Sequence, residues 1–340
     1  YDWTILGLFL VGNGLYVAWV LAFMRWRREL DIKRFNQAAG EQSNLFQLSS
    51  PIEQLIDFSR SLQDAKISLE RLGEIHGKED EEQVGGIRLN VLPDDRTLRL
   101  ENLSFSYDGA DRDYVLEDIN LTIPHNRVTA IVGASGSGKT TIVKLLLGFY
   151  NPNKGDVRIG DTSLRNLNPH VWRSKTGSVM QDGFIFSDTI ANNIAPGEEV
   201  VDKERLLHAV TVANIRDFID SLPLGYNTKI GMEGNGVSQG QRQRILIARA
   251  VYKNPDFIFL DEATNALDAN NEREIMEQLH AFYKGRTVVV VAHRLSTVRD
   301  ADKIVVLDKG RIVEEGTHQE LTALRGTYYK LVKNQLELGN

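Results

Sequence analysis

Cysteine is absent from all 340 residues, which removes disulfides, thiolate metal sites and a cysteine nucleophile from consideration. That absence suits a reducing, cytoplasmic setting. A basic surplus is missing too: 40 Lys and Arg stand against 46 Asp and Glu, a net charge of −6. Nucleic acid is therefore not an expected partner, because binding along a phosphate backbone draws on excess positive charge. There is neither an internal repeat nor a low-complexity tract. What remains, 42% hydrophobic and 25% charged, is ordinary globular composition with room for one large domain or two smaller ones.

Long apolar runs are scarce, and Trp3 to Met24 is the one about long enough to cross a bilayer as a helix. Trp3, Tyr16, Trp19 and Trp26 fall near its ends. Arg25, Arg27, Arg28, Lys33 and Arg34 follow it and no basic residue precedes it, so the positive-inside rule places its C-terminal end in the cytoplasm. A cleaved signal peptide would carry its basic residues first and fits poorly; a buried core helix is the other reading. Glu29 to Leu48 is polar and helical in pattern. Ser50-Pro51-Ile52-Glu53 then predicts a fresh helix start, with Ser50 as cap, Pro51 in the first turn and Glu53 reaching back. Leu55, Ile56, Leu62, Leu69 and Leu72 give that helix an apolar stripe ending near Gly73 or Gly77. The acidic run 78–82 and Gly85-Gly86 read as a solvated linker, with a domain boundary near Arg96.

Beyond it, apolar runs at Leu98 to Tyr107, Ile119 to Ile123, Val128 to Val132, Gly177 to Met180, Phe257 to Leu260, Val288 to Val291 and Ile304 to Leu307 predict strands. Helical patterns start at Lys139 and Gln241. The fold class is α/β with a largely parallel central sheet. Where Val128 to Val132 turns into a helix stands Gly133-Ala134-Ser135-Gly136-Ser137-Gly138-Lys139-Thr140. Its glycines let backbone N–H groups converge on phosphate oxygens, Lys139 supplies a cation for the outer phosphates, and the Thr140 hydroxyl can bind Mg²⁺. Thr141, next in the run, is counted with the nucleotide-binding set. The strand Phe257 to Leu260 delivers Asp261-Glu262 at its C-terminal end, where ligands bind in open α/β sheets. Beside a P-loop, Asp261 is expected to hold Mg²⁺ and Glu262 to polarise the attacking water. Taken alone, such a pair would be read as a solvated strand end.

Those motifs describe a P-loop NTPase; Val237-Ser238-Gln239-Gly240-Gln241-Arg242-Gln243-Arg244 narrows the class. It opens a helix about twenty residues before the carboxylates, and Ser238 with the helix-start N–H groups forms a second anion site. Here the chain resembles the ATP-binding cassette family, whose signature loop is Leu-Ser-Gly-Gly-Gln. The resemblance covers about Thr97 to the end and implies ATP and Mg²⁺ as ligands, with Ser238, Gly240 and Gln241 as nucleotide contacts. It also implies Tyr107 as the aromatic that stacks on adenine, although Phe105 and Tyr107 share a strand face and both suit a core. Gln181 matches the glutamine that touches Mg²⁺ or the lytic water, and Asn265-Ala266-Leu267-Asp268 the loop facing the opposite subunit. His293 matches the switch histidine at the γ-phosphate. Gln239 replaces the usual first glycine, and glutamine resists backbone angles that glycine permits, so altered closure on nucleotide is expected there.

In the family two such domains pair head to tail around ATP, so a second nucleotide-binding domain is the implied partner, as a homodimer. An apolar segment ahead of the cassette resembles an exporter half-transporter, with similarity through Pro51 to His76 to bacterial peptide and bacteriocin exporters that carry a peptidase domain. ATP-powered export across the inner (plasma) membrane follows as the expectation, with a peptide as cargo and the cassette cytoplasmic. On this reading 1–76 is a partial membrane domain with one span at 3–24, 77–96 a linker and 97–340 the nucleotide-binding domain. Half-transporters of the family have several membrane helices, so helices missing near Leu48-Ser49 are expected. The alternatives are a soluble cassette ATPase of DNA repair or translation, or a truncated non-transporting remnant acting only through dimerisation.

Overall fold

A computed structural model describes residues 3–78, 88–107, 113–231, 234, 236–263, 269–292 and 298–338, the side chains of 3–6, 9, 39–50, 269–272 and 334–338 excepted. The chain divides into two compact units, Tyr1–Val84 and Gly85–Asn340, each described by itself. In the first, a single helix α1 runs over Trp3–His76 with Pro51 inside it. The helix break expected at Ser50 does not occur. Proline forfeits one backbone hydrogen bond and crowds the preceding turn, which can kink a helix without ending it. Helix-favouring residues such as Gln54 and Leu55 carry the backbone on. The predicted stripe, Leu55, Ile56, Leu62, Leu69 and Leu72, is exposed. Among the described residues no helix is long and apolar enough to cross a membrane. The span expected at Trp3 to Met24 includes Trp3 to Leu6 and Phe9, whose side chains lie outside the described residues.

The second unit opens with β1 (Leu98–Phe105), β2 (Leu116–Ile123), β3 (Val128–Gly133), α2 (Lys139–Leu146), β4 (Lys154–Ile159) and β5 (Thr162–Ser163). There follow α3 (Pro169–Lys175), β6 (Thr176–Val179), β7 (Asp188–Thr189), α4 (Ile190–Ile194), α5 (Lys203–Val212), α6 (Arg216–Asp220) and β8 (Lys229–Ile230). The remainder is α7 (Gln239–Lys253), β9 (Phe257–Asp261), α8 (Ala269–Tyr283), β10 (Thr287–Val291), β11 (Lys303–Asp308), β12 (Arg311–Gly316), α9 (His318–Leu324) and α10 (Thr327–Leu338).

A six-stranded sheet has the order β12-β11-β3-β10-β9-β6, parallel except for β12. Strands β9 and β10 are buried at every residue, as strands covered on both faces must be. Successive residues therefore feed two cores. Ile258, Leu260, Val288 and Val290 join Ile245 of α7. Phe257, Phe259, Val289 and Val291 join a second core with the antiparallel sheet β2-β1-β4-β5 and with Ile142, Val143, Leu145 and Leu146 of α2. Register then places the site: Val291 lies level with Ile131 of β3 and with Asp261 of β9. The loop after β3 and the Asp261-Glu262 pair at the end of β9 consequently share the C-terminal end of the sheet, a strand apart.

The segment before β1 is docked where a linker was expected. Leu89 donates its N–H to the Asn166 carbonyl at 2.8 Å and accepts from the Asn168 N–H at 2.9 Å. Leu92 packs against the core between the sheets, and Arg96 pairs with Asp256 at 2.8 Å. An extended segment satisfies its backbone by pairing with a neighbour, which local composition does not reveal.

Candidate active site

Between β3 and α2 the loop 133–138 turns so tightly that a side chain is excluded at Gly133 and at Gly138. A Cβ on Gly133 would lie 2.1 Å from the Leu307 carbonyl oxygen, and one on Gly138, where φ is +103°, 2.6 Å from Leu116. The loop ends as the N-terminus of α2, whose unpaired N–H groups favour an anion. Lys139 folds back over it, Nζ donating to the carbonyls of Gly133 and Ala134, both at 2.9 Å. Burial pushes the Lys139 ammonium below its ordinary pKa, while the charges of Glu262 and Asp261 oppose that shift. The buried Ser137 hydroxyl has no hydrogen-bond partner among the described residues.

Ser135, Gly136, Gly138, Lys139, Thr140 and Thr141 line a cavity of about 520 Å³ together with Gln181 and Glu262. Val115, in the loop before β2, completes the lining; nothing in its sequence context marks it out. Asp261 beside them is fully buried, and neither carboxylate oxygen has a hydrogen-bond partner among the described residues. Burial holds its carboxyl above the ordinary range; the nearby Thr140 hydroxyl and the Lys139 and Lys144 charges pull it down, and Glu262 adds to the rise. A buried carboxylate without partners is costly in water-free surroundings and suits a hard cation.

Tyr107 and Phe105 part company. Phe105 is core, whereas Tyr107 is 44% exposed, edge-on to Phe105 with centroids 4.9 Å apart. The Tyr107 hydroxyl lies 3.0 Å from the hydroxyl of Thr141, a residue that lines the cavity. His293 and Asn265 to Asp268 lie outside the described residues.

Ser238, Gly240 and Gln241 are not brought to this cavity. Ser238 caps α7: its hydroxyl accepts from the Gln241 N–H at 3.2 Å, and Gln241 Oε1 accepts from the Ser238 N–H at 2.8 Å. Gln239 is the first residue of α7 and is not among the non-glycine residues with positive φ. The backbone conflict expected of glutamine there is absent, because a helical first residue needs no glycine angles. Gln239→Gly should accordingly leave ATP turnover within about twofold and lower stability by at most about 1 kcal/mol. Phosphate release and thermal melting would check both, and a large gain in turnover would restore the conflict.

The family described as ABC transporter matches residues 116–265. Over 304 residues the chain is 41% identical to a toxin RTX-I translocation ATP-binding protein of Actinobacillus pleuropneumoniae, covering 89% of this chain and 42% of that one. It is 47% identical over 240 residues to an ATP-dependent lipid A-core flippase of Syntrophus aciditrophicus, covering 71% and 39%. A solved structure of a bacterial Atm1-family ABC exporter with ATP bound superposes with a TM-score of 0.73 at 35% identity, over 86% of this chain and 50% of that one. The chain thus spans half or less of the length of each. A glycine loop, a buried aspartate and a capped signature helix stand together on an α/β sheet, and the chain carries the ATP-binding, nucleotide-binding domain of the ABC transporter family.

Proposed function

We propose that this chain hydrolyses ATP to drive export as one subunit of a dimeric transporter. The carrying observation is that Lys139 and Glu262 line one cavity, with the fully buried Asp261 carboxylate next to Glu262. Lys139 Nζ exchanges its two carbonyl partners for phosphate oxygens, and the N–H groups of 133–138 hold the same phosphates. Glu262 orients the water and accepts its proton; His293 contacts the outer phosphate. Asp261, Thr140 and Gln181 would hold Mg²⁺, which when bound neutralises charge on the phosphate oxygens. Tyr107 stacks on the adenine.

Ser238, Gly240 and Gln241 stand apart from their own chain's cavity, which supports a site completed by a second nucleotide-binding domain. We place the chain at the plasma membrane with this domain in the cytoplasm, and a peptide is the cargo favoured by the resemblance to a toxin-translocating relative. ATP turnover per molecule should rise with protein concentration and then saturate when the full chain is assayed in detergent. Constant turnover per molecule down to high dilution would overturn the composite site.

A further inference from the structure

Arg242 and Gln243 belong to the signature run, yet both reach toward their own chain's nucleotide site. Glu262 has a left-handed backbone, φ +52°, a conformation disfavoured for any residue with a Cβ and kept only where its surroundings fix it. Its N–H donates to the Val291 carbonyl at 3.1 Å. Its own carbonyl accepts from Gln243 Nε2 at 2.9 Å. One peptide group of the turn is therefore anchored by β10 and the other by α7. Arg242 acts in parallel, its Nε donating at 3.0 Å to the carbonyl of Gly183, in the same loop as Gln181. Gln181, Arg242, Gln243 and Glu262 line a single cavity of about 300 Å³.

We propose that Gln243 is a positioning residue for hydrolysis: by holding the Glu262 carbonyl it fixes the left-handed turn that aims the Glu262 carboxylate at the water. This rests on the reading of Glu262 as the base. A carboxylate on an unfastened turn samples other backbone states, and a displacement of about 1 Å is enough to cost a large part of a positioned group's effect.

The test uses the full chain and reads kcat, ATP affinity and melting temperature. Gln243→Met keeps the length of the side chain and removes the donor; it is expected to lower kcat about tenfold with ATP affinity unchanged and the melting temperature lower by at most a few degrees. Gln243→Lys keeps a donor at similar reach and is expected to retain most of the turnover. Placed in Glu262→Gln protein, Gln243→Met should change the residual turnover no further, since a residue acting through Glu262 has nothing left to position. Parental kcat in Gln243→Met overturns the proposal, as does an equal fold loss in both backgrounds. Should Gln243→Met melt early, a folded Gln243→Lys with turnover as low as that variant's overturns it, and one near the parental rate supports it. Retained hydrolysis in Glu262→Gln alone would instead remove the base assignment, so the two failures are told apart.

Discussion

Glu262→Gln should bind ATP as the parent chain does and lose hydrolysis by about 10²- to 10⁴-fold, the usual contribution of a positioned general base. The substitution preserves size and the capacity to hydrogen-bond but removes the basic oxygen that accepts the proton from water. Lys139 donates to the Gly133 and Ala134 carbonyls, bonds that the substitution leaves in place. Binding measured by calorimetry and turnover by phosphate release would separate the two quantities. Turnover within a few-fold of the parent would show that another group takes the proton.

Asp261→Asn should have opposite effects on stability and activity. The Asp261 carboxylate is fully buried, with no hydrogen-bond partner by geometry among the described residues. An uncompensated buried polar group costs about 1–3 kcal/mol, more when charged; the Asn amide is still polar, so the substitution should stabilise the fold only by the excess that the charge adds. Hydrolysis should fall together with Mg²⁺ dependence, because the amide is a poorer ligand for a hard cation. The pH dependence has a definite sign. The folded pKa lies above the ordinary 3.8, so the native state keeps a proton that the unfolded chain has released. Stability from this group is greatest below 3.8 and declines as pH rises toward the raised value. Asn should abolish that decline, and chemical unfolding across this pH range without nucleotide would measure it. A variant no more stable than the parent at neutral pH would mean that Asp261 is already compensated.

The two sites differ in how much of them the chain makes legible. The loop 133–140 and the pair Asp261-Glu262 can be read directly, since each follows an apolar strand and the residue types carry their own chemistry. Ser238 is equally plain, because a capping box with Gln241 is a local pattern. Gln239 misleads: its neighbours suggest a position that needs glycine, and only the start of α7 shows ordinary helical backbone. Pro51 misleads in the opposite sense, signalling a helix start within a helix that continues. The docking of Leu89 beside Asn166 and Asn168 leaves no mark on local composition, because both ends of each bond are backbone.

Residue chemistry and strand pattern are thus determined by the sequence itself: which groups can cradle phosphate, which carboxylates can meet a cation or a water, and that a parallel sheet supports them. Tertiary structure decides which of these groups meet. The order β3-β10-β9 brings Lys139 and Glu262 to one cavity despite their distance along the chain, while leaving Ser238 out of it. It also decides the backbone of Glu262, whose left-handed turn is fastened by Val291 on one side and Gln243 on the other. The physical reason is that a disfavoured local conformation is kept only by bonds from elements distant in sequence, and such bonds exist only once the sheet and α7 have packed.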